Sequence, residues 1–197
     1  MKTLKIISIA AFSAILSISS FAQSAKEVIN NDIPIEFFGI DYTLAKGIEL
    51  KATSGEIINK YLPSINSLFI KEPRKYNVEK AFNKTKVNID LGNVNRLNAL
   101  IDTNKFQVKS LSDVQPISLS DIEKEIKEYN LSGKQGTGLV IFAIILDKPS
   151  INATYKYVYF SIPDGKILAS GELKGRAAGF GFRNFWASTI YNSFKNL

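Results

Sequence analysis

The sequence predicts an α/β (or α+β) fold, with packed helices on a single mixed sheet of about five strands. Three patterns in the chain predict this class. Residues 139–146 are apolar without interruption, which is typical of a central strand buried on both faces. Residues 153–162 and 167–173 flank an Asp164-Gly165 turn signal and form a hairpin. Residues 182–194 have helical spacing, so the chain ends in a three-strand meander and a closing amphipathic helix.

The first half of the chain alternates between strand-like and helix-like segments. Residues 33–42 are rich in β-branched and aromatic side chains and predict the first strand, and a loop follows through Lys46 and Gly47. Thr53 or Ser54 can cap a helix that continues to about Lys71. Pro63 removes a helical donor, so it should kink or split this helix. A further short helix is predicted over residues 78–82.

The middle of the chain continues this alternation. Strand patterns at residues 86–91 and 106–111 enclose a helix that Asn93 can cap. Ser120 and Glu123 match a capping box and predict a helix over residues 121–129. Acids on this helix alternate with lysines, the ordinary pattern of a solvated face; they are Glu123, Glu125 and Glu128.

The N-terminus predicts export. Residues 1–22 combine Lys2 and Lys5 with an apolar run and a small-residue exit at Ser20-Phe21-Ala22, which is typical of a cleaved secretory signal peptide. The apolar run is too short to span a bilayer, so no transmembrane segment is expected after cleavage. Residues 23–32 are predicted to be a loose leader, and residues 33–197 a single α/β domain. The expected location is periplasmic or secreted.

The composition excludes several chemistries. The chain has no Cys and no His, which removes disulfides, thiolate nucleophiles, and Ser-His and Cys-His catalytic pairs. No metal site or cofactor is predicted. The net charge is +7, and loss of Lys2 and Lys5 with the signal leaves +5, which favours anionic partners or simply aids solubility. Export argues against nucleic acid as a partner.

The glycine-rich turn from Gly175 to Trp186 is the most distinctive stretch. It carries Arg176 and Arg183 as candidate ligand-binding residues, because guanidinium groups near a helix start can hold phosphate or carboxylate. No Gly-Lys-Ser/Thr follows, so the turn is not a Walker loop. The alternative is structural: the glycines permit a tight passage from strand to helix beneath bulky neighbours.

A row of tyrosines is the second candidate site. Tyr155, Tyr157 and Tyr159 share one face of their strand, where an exposed row could stack on sugars or hold a peptide. The alternative is that helices cover this face and make the tyrosines part of the core. Asp41, at the end of the first strand, lies where sites on α/β sheets form, but no spacing links the scattered carboxylates as a catalytic pair.

Two resemblances accompany these patterns. The tail GRAAGFGFRNFWASTIYNSF and the signal exit SSFAQ resemble an uncharacterised family of exported proteins from Bacteroidota-type bacteria. The hairpin YVYFSIPDGKILASGEL and the order of elements are similar to periplasmic α/β modules of curli-secretion and penicillin-binding-protein-activator lipoproteins, although this chain lacks their lipidated Cys. Neither resemblance implies catalytic residues.

The sequence therefore favours an exported, soluble, non-enzymatic domain that binds another envelope component, such as a protein or an anionic glycan. The alternative is a hydrolase or transferase acting on an anionic envelope substrate through Arg176, Arg183 and an unrecognised carboxylate. A third reading is a structural subunit that assembles through the hairpin edge. The oligomeric state stays open.

Overall fold

A computed structural model describes residues 25–197, so the predicted signal peptide over residues 1–22 lies outside the described residues. The fold is α/β, with seven strands in one mixed sheet. The strands are β1 (Ile35–Asp41), β2 (Lys46–Ile48), β3 (Val87–Ile89), β4 (Gln107–Val108), β5 (Thr137–Asp147), β6 (Asn152–Ser161) and β7 (Ile167–Arg176).

The sheet has seven strands where about five were expected, and these seven strands occupy five rows. One edge of β5 pairs in parallel with β1 and then, further along, with β2. The outer edges of β1 and β2 pair in parallel with β3 and β4. Two rows are therefore each built from two short strands. The other edge of β5 pairs with β6, and β6 pairs with β7, both antiparallel, as the predicted meander requires.

Helices cover both faces of this sheet. They are α1 (Ala25–Asn30), α2 (Ser54–Glu56), α3 (Leu62–Asn66), α4 (Leu68–Lys71), α5 (Val78–Phe82), α6 (Gly92–Asn98), α7 (Thr103–Phe106), α8 (Leu119–Lys127) and α9 (Phe182–Phe194). Buried side chains of α1, α3 to α5 and α9 form one core with β1, β5, β6 and β7. The opposite core contains α6, α8 and the other face of β1, β5 and β6. The predicted burial of β5 on both faces is confirmed.

The predicted loose leader is wrong over residues 25–30, which form α1. The Val28 side chain is buried in the larger core. The Lys84 ammonium donates to the carbonyl oxygens of Ile29 and Asn31 at 3.1 and 2.5 Å. The burial of Val28 and the hydrogen bonds from Lys84 therefore hold α1 against the fold, although its polar composition suggested a loose leader.

The helix predicted from Thr53 to Lys71 is split near Pro63, as expected. Thr53 caps α2 by accepting from the Glu56 backbone N–H at 3.2 Å. Residues Ile57–Tyr61 widen into a π-helical turn, and Pro63 lies in the first turn of α3 directly afterwards. Proline has no N–H to donate and its ring crowds the preceding turn, so a widened turn accommodates it.

The capping box of α8 lies two residues earlier than the sequence suggested. Ser118 and Asp121 form it: the Asp121 N–H donates to the Ser118 hydroxyl at 3.2 Å, and the Ser118 N–H donates to the Asp121 carboxylate at 3.1 Å. The predicted pair, Ser120 and Glu123, is wrong. Both pairs fit the Ser-x-x-acid pattern, and the position of the buried Ile122 and Ile126 selects the earlier start.

Two buried asparagines hold the end of β1. The pairing of β1 with β5 shifts between Phe37 and Ile40, which interrupts the regular ladder. Asn66 of α3 accepts from the Ile40 N–H at 2.8 Å and donates to the Ile40 carbonyl at 2.9 Å. Asn98 of α6 accepts from the Tyr42 N–H at 2.7 Å and donates to the same carbonyl at 3.0 Å. Side chains from both helical layers thus satisfy backbone groups near the irregularity.

Candidate functional site

The glycine-rich turn begins later than the sequence suggested, because β7 continues through Arg176. Gly175 is therefore a strand residue, and a Cβ on it would collide with the backbone of Thr189 in α9. Its missing side chain lets α9 lie directly on β7. The structural interpretation of this glycine, a close passage under a bulky helix, fits what the structure shows.

The extension of β7 also separates the two arginines. Successive side chains of a strand point to opposite faces of the sheet. Gly175 faces α9, so the Arg176 side chain points to the other face. It is exposed there. Arg183 lies on α9, is half-buried and donates to the Asn184 side-chain oxygen at 3.0 and 2.9 Å. The structure therefore does not bring the candidate ligand-binding residues Arg176 and Arg183 together.

The tyrosine row is covered by helices and belongs to the core, which is the second of the two alternatives. Tyr155 and Tyr159 are only 1% and 2% exposed. The Tyr155 and Thr189 hydroxyls hydrogen-bond at 2.5 Å, and burial raises the pKa of the Tyr155 phenol well above its usual value. Tyr157 is half-buried and contacts Phe82 edge-on. The exposed alternative does not hold, because α9 and α5 cover this face of the meander.

What the turn does expose is an aromatic tip, which we define as Gly179, Phe180 and Gly181. The Phe180 side chain is 95% exposed. The glycines on both sides have φ of +95° and +76°, a region that other residues rarely adopt. The backbone is anchored on both sides: the Ala178 N–H donates to the Ser188 hydroxyl at 2.7 Å, and the Phe185 N–H donates to the Gly181 carbonyl at 3.0 Å. The phenyl ring is thus held outward by fixed neighbours.

A hollow of about 290 Å³ lies beside the tip. It is lined by the tip itself and by Lys51, Lys148, Phe182, Phe185 and Trp186. Phe182 stacks on Tyr61 with ring centroids 4.5 Å apart, and the Lys148 ammonium lies 3.5 Å from the centre of the Phe185 ring. The site therefore combines a projecting phenyl group, a preformed apolar wall and two cations.

A second cleft, of about 310 Å³, lies where β1 ends. Its lining includes the polar side chains of Thr43, Lys46, Lys105 and Glu125, with an apolar side that contains the exposed Leu100. Burial raises the pKa of the Glu125 carboxyl above its ordinary value. The solvated-face interpretation of the acids on α8 is therefore wrong for Glu125, which is half-buried in the cleft wall.

Asp41 lies beneath this cleft and is fully buried. Its carboxylate accepts from the Thr43 N–H and hydroxyl at 2.8 and 2.6 Å and from the Tyr129 hydroxyl at 2.7 Å. These three hydrogen bonds compensate only part of the cost of removing the charge from water. Burial consequently raises the pKa of Asp41 above its ordinary value of 3.8.

Asp41→Asn should alter how stability depends on pH. The wild-type carboxyl ionises near 3.8 when unfolded and at higher pH when folded, so its contribution to the free energy of unfolding is complete below pH 3.8 and is lost as pH rises through the folded pKa. Chemical denaturation from about pH 4 to neutral should therefore show the variant gaining stability relative to wild type as pH rises. A relative loss over that range would mean that the hydrogen bonds outweigh burial.

Sequence reasoning missed the projecting phenyl group and the cleft. An aromatic residue between two glycines cannot pack as helix or strand residues do, so Gly-Phe-Gly was an available signal for exposure. No local signal could bring Lys51 and Lys148 to the same hollow, because β2 and β5 meet only in the folded sheet. The hollow and the cleft share no lining residue, so these two described sites are separate.

The fold and site define a mixed-sheet α/β protein with an exposed aromatic tip at one end. Scans against protein-family models and curated proteins return no match for the chain. Within residues 25–197, no helix is long and apolar enough to cross a bilayer. In the same range, no three Asp or Glu side chains cluster as metal ligands would.

Proposed function

We propose that the chain is an exported, non-enzymatic domain that binds another component of the cell envelope, with the tip as its docking element. The observation that carries this proposal is Phe180, 95% exposed between two glycines of positive φ. A lone exposed apolar side chain needs no explanation, but the half-buried Phe182 and Phe185 extend this one into a larger apolar surface over the buried Trp186.

The backbone conformation strengthens this interpretation. Two glycines at positive φ cost conformational entropy on folding, and the ring that they carry outward gains no burial within the chain. A partner that covers the ring would supply the missing burial. Full burial of a phenyl side chain is worth about 1.5–3 kcal/mol, enough to dominate a small contact.

Phe180→Ala should weaken association with the envelope about ten-fold or more, because the variant loses the apolar surface that a partner would cover. The measurement is pelleting of the purified chain, residues 23–197, with an envelope fraction from an exporting bacterium. Leu100→Ala is the matched control, since Leu100 is 72% exposed and lines the separate cleft. Equal pelleting of the two variants would contradict the proposal.

One observation favours the alternative of a hydrolase or transferase. Glu125 has a raised pKa and lines the cleft with Lys46, close to the buried Asp41, an arrangement that suits a general acid. The arginines assigned to this alternative are not in the cleft lining. Turnover of an anionic envelope substrate by the wild type and not by Glu125→Gln would replace the binding proposal.

A further inference from the structure

We propose that the partner of the tip is an anionic lipid surface, into which Phe180 inserts while the neighbouring cations contact lipid phosphates. This inference rests on the proposed function and names its partner. The supporting features are the shape of the apolar surface, the position of the cations and the charge of the residues that line the hollow beside the tip.

The apolar part of the surface projects outward. Phe180 stands at the end of one turn, and Ile151, 36% exposed with φ of +56°, stands at the end of the neighbouring turn. The Ala177 N–H donates to the Ile151 carbonyl at 2.8 Å, so the two turns lie side by side. Projecting apolar side chains on adjacent turns suit shallow insertion beneath lipid headgroups.

The cations lie around this apolar end. Lys51 and Lys148 line the hollow beside Phe180. Lys148 sits over the Phe185 ring, where its ammonium has an aromatic surface on one side. Long basic side chains keep an apolar stem against the protein and place the charge at the level of phosphates.

The lining of the hollow is also positively charged. Among its residues are two cations, Lys51 and Lys148, and no acid. This excess of positive charge complements an anionic surface. Each lysine near such a surface contributes about 1 kcal/mol, which corresponds to about five-fold in binding.

A lipid surface explains the arrangement better than a protein partner. A protein pocket that received Phe180 would gain from a neutral or acidic rim on the partner. In a bilayer, phosphates lie outside the acyl chains, and this order matches an apolar Phe180 with Lys51 and Lys148 behind it. One phenyl group and a few cations should give weak, reversible binding. The binding should also weaken with salt, because the cations are exposed.

The test is pelleting of residues 23–197 with vesicles of phosphatidylcholine alone or mixed with phosphatidylglycerol. Omitting residues 1–22 removes their apolar run as a source of binding. We expect binding only to the anionic vesicles, about ten-fold weaker for Phe180→Ala and retained by Phe180→Leu. Lys51→Gln and Lys148→Gln should each cost about five-fold, whereas the charge-matched controls Lys71→Gln and Lys80→Gln should bind as wild type.

A delipidated envelope fraction separates failure of this inference from failure of the proposed function. If Phe180→Ala abolishes binding to that fraction while wild type ignores both kinds of vesicle, the partner is a protein or glycan and the lipid proposal is wrong. If Phe180→Ala matches wild type on vesicles and on the delipidated fraction, both proposals are wrong. Equal binding to neutral and anionic vesicles would also overturn the assigned role of the lysines.

Discussion

Gly175→Ala should lower the free energy of unfolding by about 3 kcal/mol, because a methyl group at this position has no space. The added Cβ would overlap the Thr189 carbonyl oxygen and lie 2.6 and 2.9 Å from the carbonyl carbon and Cα of Thr189. These are backbone atoms, so no side-chain rotation relieves the clash. Relief requires α9 to move off β7, which would loosen the buried Trp186 and Ile190.

Chemical denaturation of three glycine variants tests this expectation. Gly171→Ala should cost less than Gly175→Ala, because the atoms nearest to its Cβ belong to the half-buried Tyr157 side chain, which can move, and not to backbone. Gly55→Ala should stabilise the chain by about 0.5–1 kcal/mol, because nothing lies within 4 Å of the added atom and Gly55 is helical. A Gly175→Ala variant as stable as wild type would show that α9 does not lie this close to β7.

Asn66→Ala should also destabilise the fold by about 3 kcal/mol, because it removes the partner of the buried Ile40 N–H and one of the two partners of the Ile40 carbonyl. The wild-type amide satisfies both the N–H and the carbonyl of Ile40, and only the carbonyl has a second partner, in Asn98. An unsatisfied buried donor costs about 1–3 kcal/mol, and a lost hydrogen bond to the carbonyl adds about 1 kcal/mol. The cavity left by the side chain adds to this loss.

Asn88→Ala is the matched control, since Asn88 is exposed on β3 and its loss should change stability by less than about 0.5 kcal/mol. Asn66→Asp should destabilise the fold at least as much as Asn66→Ala, because a buried carboxylate still accepts from the Ile40 N–H but faces the oxygens of Ile40 and Asn95 to which the amide donated. Hydrogen exchange at the Ile40 amide should accelerate in Asn66→Ala. Unchanged exchange and stability would contradict the described role of this side chain.

The end of the chain was predictable because its signals are local. The apolar run of β5, the alternation in β6 and the spacing of α9 each lie within one segment, and the structure confirms all three elements. The closing helix occupies residues Phe182–Phe194, as predicted. In these segments pattern and burial agree, because each element packs through a regular face.

The short strands were not predictable in the same way. β2 has three residues, too few for a periodic pattern, and lies where a loop was predicted. β4 keeps only two residues of the strand pattern over residues 106–111, because Phe106 ends α7. The tyrosine row was ambiguous, since side chains alternate between the two faces of a strand in the same way whether a face is covered by helices or open to solvent. Which face is covered depends on α5 and α9, which lie far away in sequence from each other.

The sequence placed the end of β7 wrongly but located the stretch that contains the exposed tip. Ending β7 at residue 173 placed Arg176 in the turn with Arg183, whereas the strand continues to Arg176 and directs it to the opposite face. The exposed tip does lie inside the glycine-rich stretch that the sequence singled out. The functional candidates changed from the arginine pair to Phe180 with Lys51 and Lys148.

The most direct test of the account is the ratio of envelope-bound Phe180→Ala to envelope-bound Leu100→Ala, measured by pelleting under identical conditions. Both variants remove a large exposed apolar side chain, so they differ mainly in which surface loses it. The account predicts a ratio of about one tenth or lower. A ratio near one would contradict the claim that the tip is the docking element.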